Sequence, residues 1–274
     1  MNIIGIGDNV VDCYYSDGVY YPGGNAVNVA VRCKRDGCEH VGYIGIFAND
    51  EKGDHIKACL TKEGVIWSKR SRTMIGISGS PGVRLNEQGD RVFVPGPKET
   101  VQRNCALRLI PVDFDFIRDF DICHTSVYSN IEPELPALRG TLPISFDFSD
   151  HHEYAYIQRV APFVDYAFFS CSGMDPAQIT GIVNECHDYG VKVVGCTMGS
   201  NGALFSDGKQ QYTQGIVPVK VIDTMGAGDA FIAAFLTRYF EACDMKESLR
   251  YAAEQAAEAC QCHGGWGYPH PLEI

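Results

Sequence analysis

Short apolar runs rich in β-branched residues alternate along this chain with stretches of helical period, and this alternation restricts the fold more than any other feature. Strands are expected over 2–6, 41–47, 121–125, 143–148, 165–170 and 192–197. Helices are expected over 25–35, 51–63, 112–119, 133–139, 176–189, 227–242 and 246–262. Gly37, Gly64 and Gly190 fall just past three of these helices, where a left-handed C-cap favours glycine. The pattern predicts an α/β domain with a mostly parallel sheet covered by helices.

Two segments break the alternation. Around Ser16-Asp17-Gly18, and again over about 70–96, short strand-like runs flank Gly, Asn and Asp turns, the chemistry of hairpins rather than crossovers. They predict a small antiparallel flap built from about 11–22 and 70–96, too small to fold alone. A further hairpin is expected at 203–205 and 210–213, joined through Asp207-Gly208. With 274 residues and 45% hydrophobic content, the chain can bury one large core.

The net charge of -11 offers no basic face to a nucleic acid or an anionic membrane. The first residues lack a cationic segment followed by a long apolar run, so a cytoplasmic protein with reduced thiols is expected. Cys260-Gln261-Cys262-His263 has no second ligand pair at zinc-finger spacing.

The chemistry concentrates in Val221-Ile222-Asp223-Thr224-Met225-Gly226-Ala227-Gly228-Asp229-Ala230-Phe231. Apolar residues after Asp229 keep a helical period, so the glycines open a helix whose free amides and dipole favour an anion. Asp229 reads either as an ordinary first-turn acid or as the acceptor of a hydroxyl proton beside a phosphoryl group. Gly23-Gly24-Asn25-Ala26-Val27-Asn28 is a second glycine pair leading into a helix, with Asn25 and Asn28 on one side of it. A dinucleotide-binding fold would need a third glycine after Gly5-Ile6-Gly7, and Val10 stands there. Thr197-Met198-Gly199-Ser200-Asn201-Gly202 follows a buried-looking strand and reads alone as a turn or as a phosphate-bordering loop.

Asp-Thr-Met-Gly-Ala-Gly-Asp-Ala-Phe resembles the C-terminal signature of the ribokinase-like, or PfkB, carbohydrate kinases, and the Gly23-Gly24 segment resembles their N-terminal one. The resemblance covers nearly the full chain. It implies a ribokinase-like three-layer fold with a β lid, ATP and Mg2+, a sugar acceptor and Asp229 as base, with Gly226, Ala227 and Gly228 forming the anion hole. By the same resemblance, Asp8, Asp12, Gly24, Asn25 and Asn28 contact the acceptor. Thr197, Gly199 and Gly202 border the nucleotide, as do Ala256 and His263 near the adenine. Asp223 and Thr224 lie where many relatives hold a monovalent cation such as K+, and a homodimer through the lid is a further expectation.

Two family patterns are missing. Cys171-Ser172-Gly173-Met174-Asp175 lacks the usual Asn-x-x-Glu, and Phe146-Asp147-Phe148-Ser149-Asp150 replaces Asp-x-Asn-x-Arg, leaving Asp147 and Asp150 without a role. These departures, with Cys262-His263-Gly264-Gly265-Trp266, resemble a branch of the family that phosphorylates the 6-hydroxyl of fructoselysine or related Amadori compounds. Asp90 and Arg91 in the flap are candidate contacts for the amino-acid arm; Arg91 reads equally as a solvated turn cation.

Overall fold

The computed structural model describes residues 1–85 and 91–272; the side chains of Leu85 and Arg91 lie outside that description, as does Asp90. The chain begins β1 (Ile3–Gly7), β2 (Val10–Tyr14), β3 (Val19–Gly23), α1 (Asn25–Arg35), β4 (Val41–Ala48) and α2 (Glu51–Glu63). There follow β5 (Arg72–Met74), β6 (Gly82–Leu85), β7 (Arg91–Val94), α3 (Val101–Asn104), α4 (Pro111–Ile117), β8 (Ile122–Ser126) and α5 (Leu135–Arg139). The second half runs β9 (Ile144–Ser149), α6 (Tyr154–Val160), β10 (Tyr166–Ser170), α7 (Pro176–Asp188), β11 (Val193–Thr197), β12 (Ala203–Ser206) and β13 (Gln211–Gln214). It ends with α8 (Ala227–Ala242), α9 (Met245–Ala259) and β14 (His270–Pro271).

The large sheet has the order β13-β12-β11-β10-β9-β8-β1-β4-β5. It is parallel from β11 to β5, with β12 and β13 added antiparallel at one edge. Both faces are covered, and the strands alternate between two cores. In β1, Ile3 joins the core under α1, α2, α8 and α9, whereas Ile4 and Ile6 join the core under α4, α5, α6 and α7. Gly5 lets α1 lie directly on β1: a Cβ there would stand 2.5 Å from the Ala26 carbonyl oxygen.

The second sheet, β14-β3-β2-β6-β7, forms the lid. It is antiparallel except where β2 meets β6, which pair in parallel at Cys13–Gly82 and Tyr14–Val83. Residues 72–74, expected in the flap, instead extend the large sheet beside β4. The return from α2 directs them there, since Ile66 already donates its amide to Val41 O. Two helices were not foreseen: α3, too short to show a period, and α6, whose inward face is essentially Ile157 and Val160.

Candidate active site

The parallel strands point their C-terminal ends at one cavity of about 710 Å³, with the lid on its far side. A crevice at that end of an open α/β sheet is where ligands are expected. Ser170 ends β10, Thr197 ends β11, and Asp147 and Ser149 close β9; all four line the cavity. Asn130 and Ser149, also in its wall, hold left-handed backbone with φ of 49° and 52°. Such conformations cost about 1–3 kcal/mol and tend to cluster at functional sites.

The start of α1 is built from its neighbours. Gly24, the N-cap, has φ 114° and sits so close to Asn9 that a Cβ would approach its Cα to 2.7 Å. It has no side chain with which to cap, so Asp8 supplies the carboxylate from beyond the end of β1. The Asn25 and Ala26 amides donate to Asp8 at 2.6 and 3.2 Å, and the Ser126 and Ser129 hydroxyls donate at 3.1 and 2.8 Å. Three of these donors fall on Oδ1 and one, the Asn25 amide, on Oδ2. Asp8, expected to bind sugar hydroxyls, thus holds the helix start and also lines the cavity. Asp12, from β2 of the lid, is buried and lines the same cavity.

Asn25 and Asn28 converge on Asp229. Each donates its amide nitrogen at 2.7 Å, Asn25 to Oδ1 and Asn28 to Oδ2. Asn25 also donates to Asp147 Oδ2 at 2.7 Å, so one NH2 group bridges two carboxylates. The amide is kept facing that way by His124, whose Nε2 lies 3.0 Å from Asn25 Oδ1 while its Nδ1 lies 2.8 Å from the Ser145 hydroxyl. Full burial pushes the His124 pKa down to about 3, so the ring is neutral, with a proton on Nε2 for the asparagine oxygen. Burial, then the charge of Asp229, raises Asp147 to about 7 against the bonds donated by Ser149 and Asn25.

The second asparagine is held from the C-terminal segment. Trp266 Nε1 donates to Asn28 Oδ1 at 2.8 Å, and Arg32 grips the Gly265 carbonyl through two nitrogens. Gly265 packs so tightly that a Cβ would lie 2.9 Å from Asn28 Nδ2, and a Cβ on Gly226, at φ 72°, would lie 2.8 Å from Gly265 Cα. The Gly264-Gly265-Trp266 turn thus braces both the base and the loop that precedes α8. Of the three loop residues expected to form an anion hole, Ala227 turns its amide toward Thr224 O at 3.2 Å. Gly226 and Gly228 line the cavity, and Gly228 is exposed.

Four residues expected at the nucleotide are not in this cavity's lining. Gly202 turns the chain into the late hairpin, where a Cβ would stand 2.1 Å from Gln214 O, and neither it nor Gly199 lines the cavity. Ala256 is half-buried against the core beneath α8 and α9. His263 is exposed and stacks over Tyr21 with ring centroids 6.4 Å apart, because the left-handed Gly264 carries the chain inward only after it.

The Asp223 carboxylate is buried and accepts from Tyr14 Oη, the Met225 amide and the Gly264 amide. A monovalent cation near Asp223 and Thr224 would therefore rely on backbone carbonyls. Among the described residues no group of three or more His, Cys, Asp or Glu could hold a metal ion. No helix among them is long and apolar enough to cross a membrane.

His124, Asp147 and Trp266 were not assigned site roles from sequence. Each gains its role from a partner far along the chain, and the one local clue was that Asp147 and Trp266 sit in segments that depart from or extend the family pattern.

Comparison with known proteins gives the family. The description "pfkB family carbohydrate kinase" matches residues 166–269. A fructosamine kinase, FrlD, of Bacillus subtilis is 46% identical over the whole chain and 96% of its own length. The fructoselysine 6-kinase of Escherichia coli is 35% identical over 95% of this chain and 98% of its own. A fructokinase double mutant of Vibrio cholerae, solved with fructose, ADP and potassium ion, superposes with a TM-score of 0.77 at 22% identity over 97% of this chain and 94% of its own. With the fold, the glycine signatures and these relatives in agreement, the chain belongs to the pfkB family of carbohydrate kinases.

Proposed function

We propose that this kinase transfers the γ-phosphoryl group of ATP to the 6-hydroxyl of fructoselysine or a near Amadori relative. The observation that carries the phosphoryl-transfer part is the Asp229 carboxylate, held at the start of α8 by two asparagine amides at 2.7 Å each. Neutral donors on both oxygens fix its orientation without cancelling its charge. The Amadori acceptor is supported by the 46% identity to a fructosamine kinase and 35% to a fructoselysine 6-kinase.

In the reaction, the acceptor hydroxyl lies against Asp229 and gives up its proton as its oxygen bonds to the γ-phosphorus. The bond from that phosphorus to the bridging oxygen breaks, and ADP leaves; Mg2+ bound with the nucleotide would supply charge neutralisation. Gly228 contributes a backbone amide toward the growing equatorial charge, and the dipole of α8 adds to it. Asp12 and the polar edge of α1 face the sugar hydroxyls, and the lid excludes water from the reacting atoms.

An acceptor panel tests the reading. Purified protein with ATP and Mg2+ should release ADP with a higher kcat/KM for fructoselysine than for fructose, ribose or adenosine. Preference for any of those three would keep the chemistry and replace the acceptor.

A further inference from the structure

The cavity is lined by the carboxylates Asp8, Asp12, Asp147 and Asp229, yet among its described lining residues there is one lysine or arginine, Arg103. Arg103 lies on α3 and is exposed. Its guanidinium has no hydrogen bond or ion pair among the described residues. The neighbouring side chains are committed: Gln102 donates to Asn9 Oδ1 at 3.2 Å and accepts from the Gly79 amide at 2.7 Å, and Asn104 donates to Glu99 at 2.9 Å. An unpaired guanidinium at the wall of an acidic pocket is suited to an anion that comes with a ligand, and its planar fork matches a carboxylate.

Two anions enter this cavity in the proposed reaction, the triphosphate and the α-carboxylate of the acceptor. The sheet order separates them. Thr197 ends β11, whereas α3 packs on β4, five strand positions away. At ~4.8 Å per strand, that places them roughly 24 Å apart. Asp229 stands between, tied through Asn25 to His124 of β8 and Asp147 of β9. Arg103 is therefore on the side of the base away from the nucleotide loop, where the part of the acceptor beyond the sugar must lie.

We propose that Arg103 binds the carboxylate of the acceptor's amino-acid portion and makes the enzyme select Amadori compounds of amino acids over those of simple amines. This rests on the Amadori reading above. The test compares fructoselysine with its decarboxylated counterpart, fructosylcadaverine, for the wild type and Arg103→Gln. The wild type should favour fructoselysine by about 10- to 100-fold in kcat/KM, chiefly through KM, as for a charge-assisted pair. Arg103→Gln should bring that ratio close to one while the KM for ATP stays within about twofold, and Arg103→Lys should restore part of it. A wild type that treats the two acceptors alike, or a variant that loses both equally, would overturn the proposal and leave the Amadori reading standing. Turnover of fructose with neither Amadori compound would overturn both.

Discussion

At the β1, β8 and β9 end of the cavity side chains hold other side chains, whereas at the β10 and β11 end Phe168, Phe169, Ser170 and Thr197 line the wall with no hydrogen bond from one of their side chains to another among the described residues. The first region ties Ser145, His124, Asn25, Asp147, Asp229, Asn28 and Trp266 into one connected set. In the second, Thr197 donates its hydroxyl to Phe169 O at 3.3 Å, and the glycines beyond it serve the chain turn. The difference follows from what each end must do. A base has to be held in one orientation before the acceptor arrives, which takes side chains with fixed partners. A nucleotide's phosphates can be met by amides and a dipole that the backbone already provides.

If that division is right, damage to the first region should alter catalysis by its position in the network. The largest effect is expected from Asp229→Asn, which keeps the volume but removes the proton acceptor: kcat should fall on the order of 10²- to 10⁴-fold with ATP binding retained. Near-normal turnover in the folded variant would remove Asp229 from the mechanism.

Next in size is Gly228→Val. A Cβ at Gly228 meets no protein atom within 4 Å, so the fold should tolerate it while the side chain occupies the path of the phosphoryl group. Turnover should drop on the order of 10²-fold with little change in acceptor KM. Gly226→Ala is the control that separates the two glycines, because its Cβ would press on the Gly265 backbone and its φ is left-handed. It should lower Tm as well as turnover.

A smaller loss, about 10-fold in kcat, is expected from Asn25→Ala. Removing the shared amide lets Asp147 and Asp229 repel each other, so the acid limb of the pH-rate profile should move to higher pH. An unmoved limb would mean that the amide only packs.

A separate effect concerns stability rather than turnover. Burial and the nearby Asp229 raise Asp147 to about 7, well above the usual carboxylate range, so the folded state prefers its neutral form. The stability this gives is complete below about pH 4, is lost as pH rises toward 7, and is gone above it, with a slope of at most about 1.4 kcal/mol per pH unit. Chemical denaturation of wild type and Asp147→Asn between pH 5 and 8 should show the wild type losing ground over the lower part of that range. Parallel curves would place the ionisation elsewhere.

The legible part of the molecule was the local part. The helices over 25–35, 51–63 and 227–242 have the limits expected from periodicity and glycine or acid caps, because those signals lie within a few residues of each boundary. The placing of Asp229 at the start of α8 was legible for the same reason: its glycines precede it directly.

The network around it was not legible. His124 reads as one polar residue in a buried strand, and its partner Asn25 is 99 positions away; Asn25 meets Asp147 across 122 and Trp266 meets Asn28 across 238. No periodicity reports such pairs. Asp8 has a second role that no local signal reports: besides lining the cavity, it accepts from the start of α1 and from Ser126 and Ser129, residues more than 100 positions away.

The most direct test of the account is the position of the phosphate in the product. Fructoselysine turned over with ATP and Mg2+ should give one new ester, whose phosphorus couples to the C6 protons of the sugar in a two-dimensional phosphorus–proton NMR spectrum. Coupling to any other carbinol proton, or the absence of a phosphorylated Amadori product while a plain sugar is consumed, would contradict it.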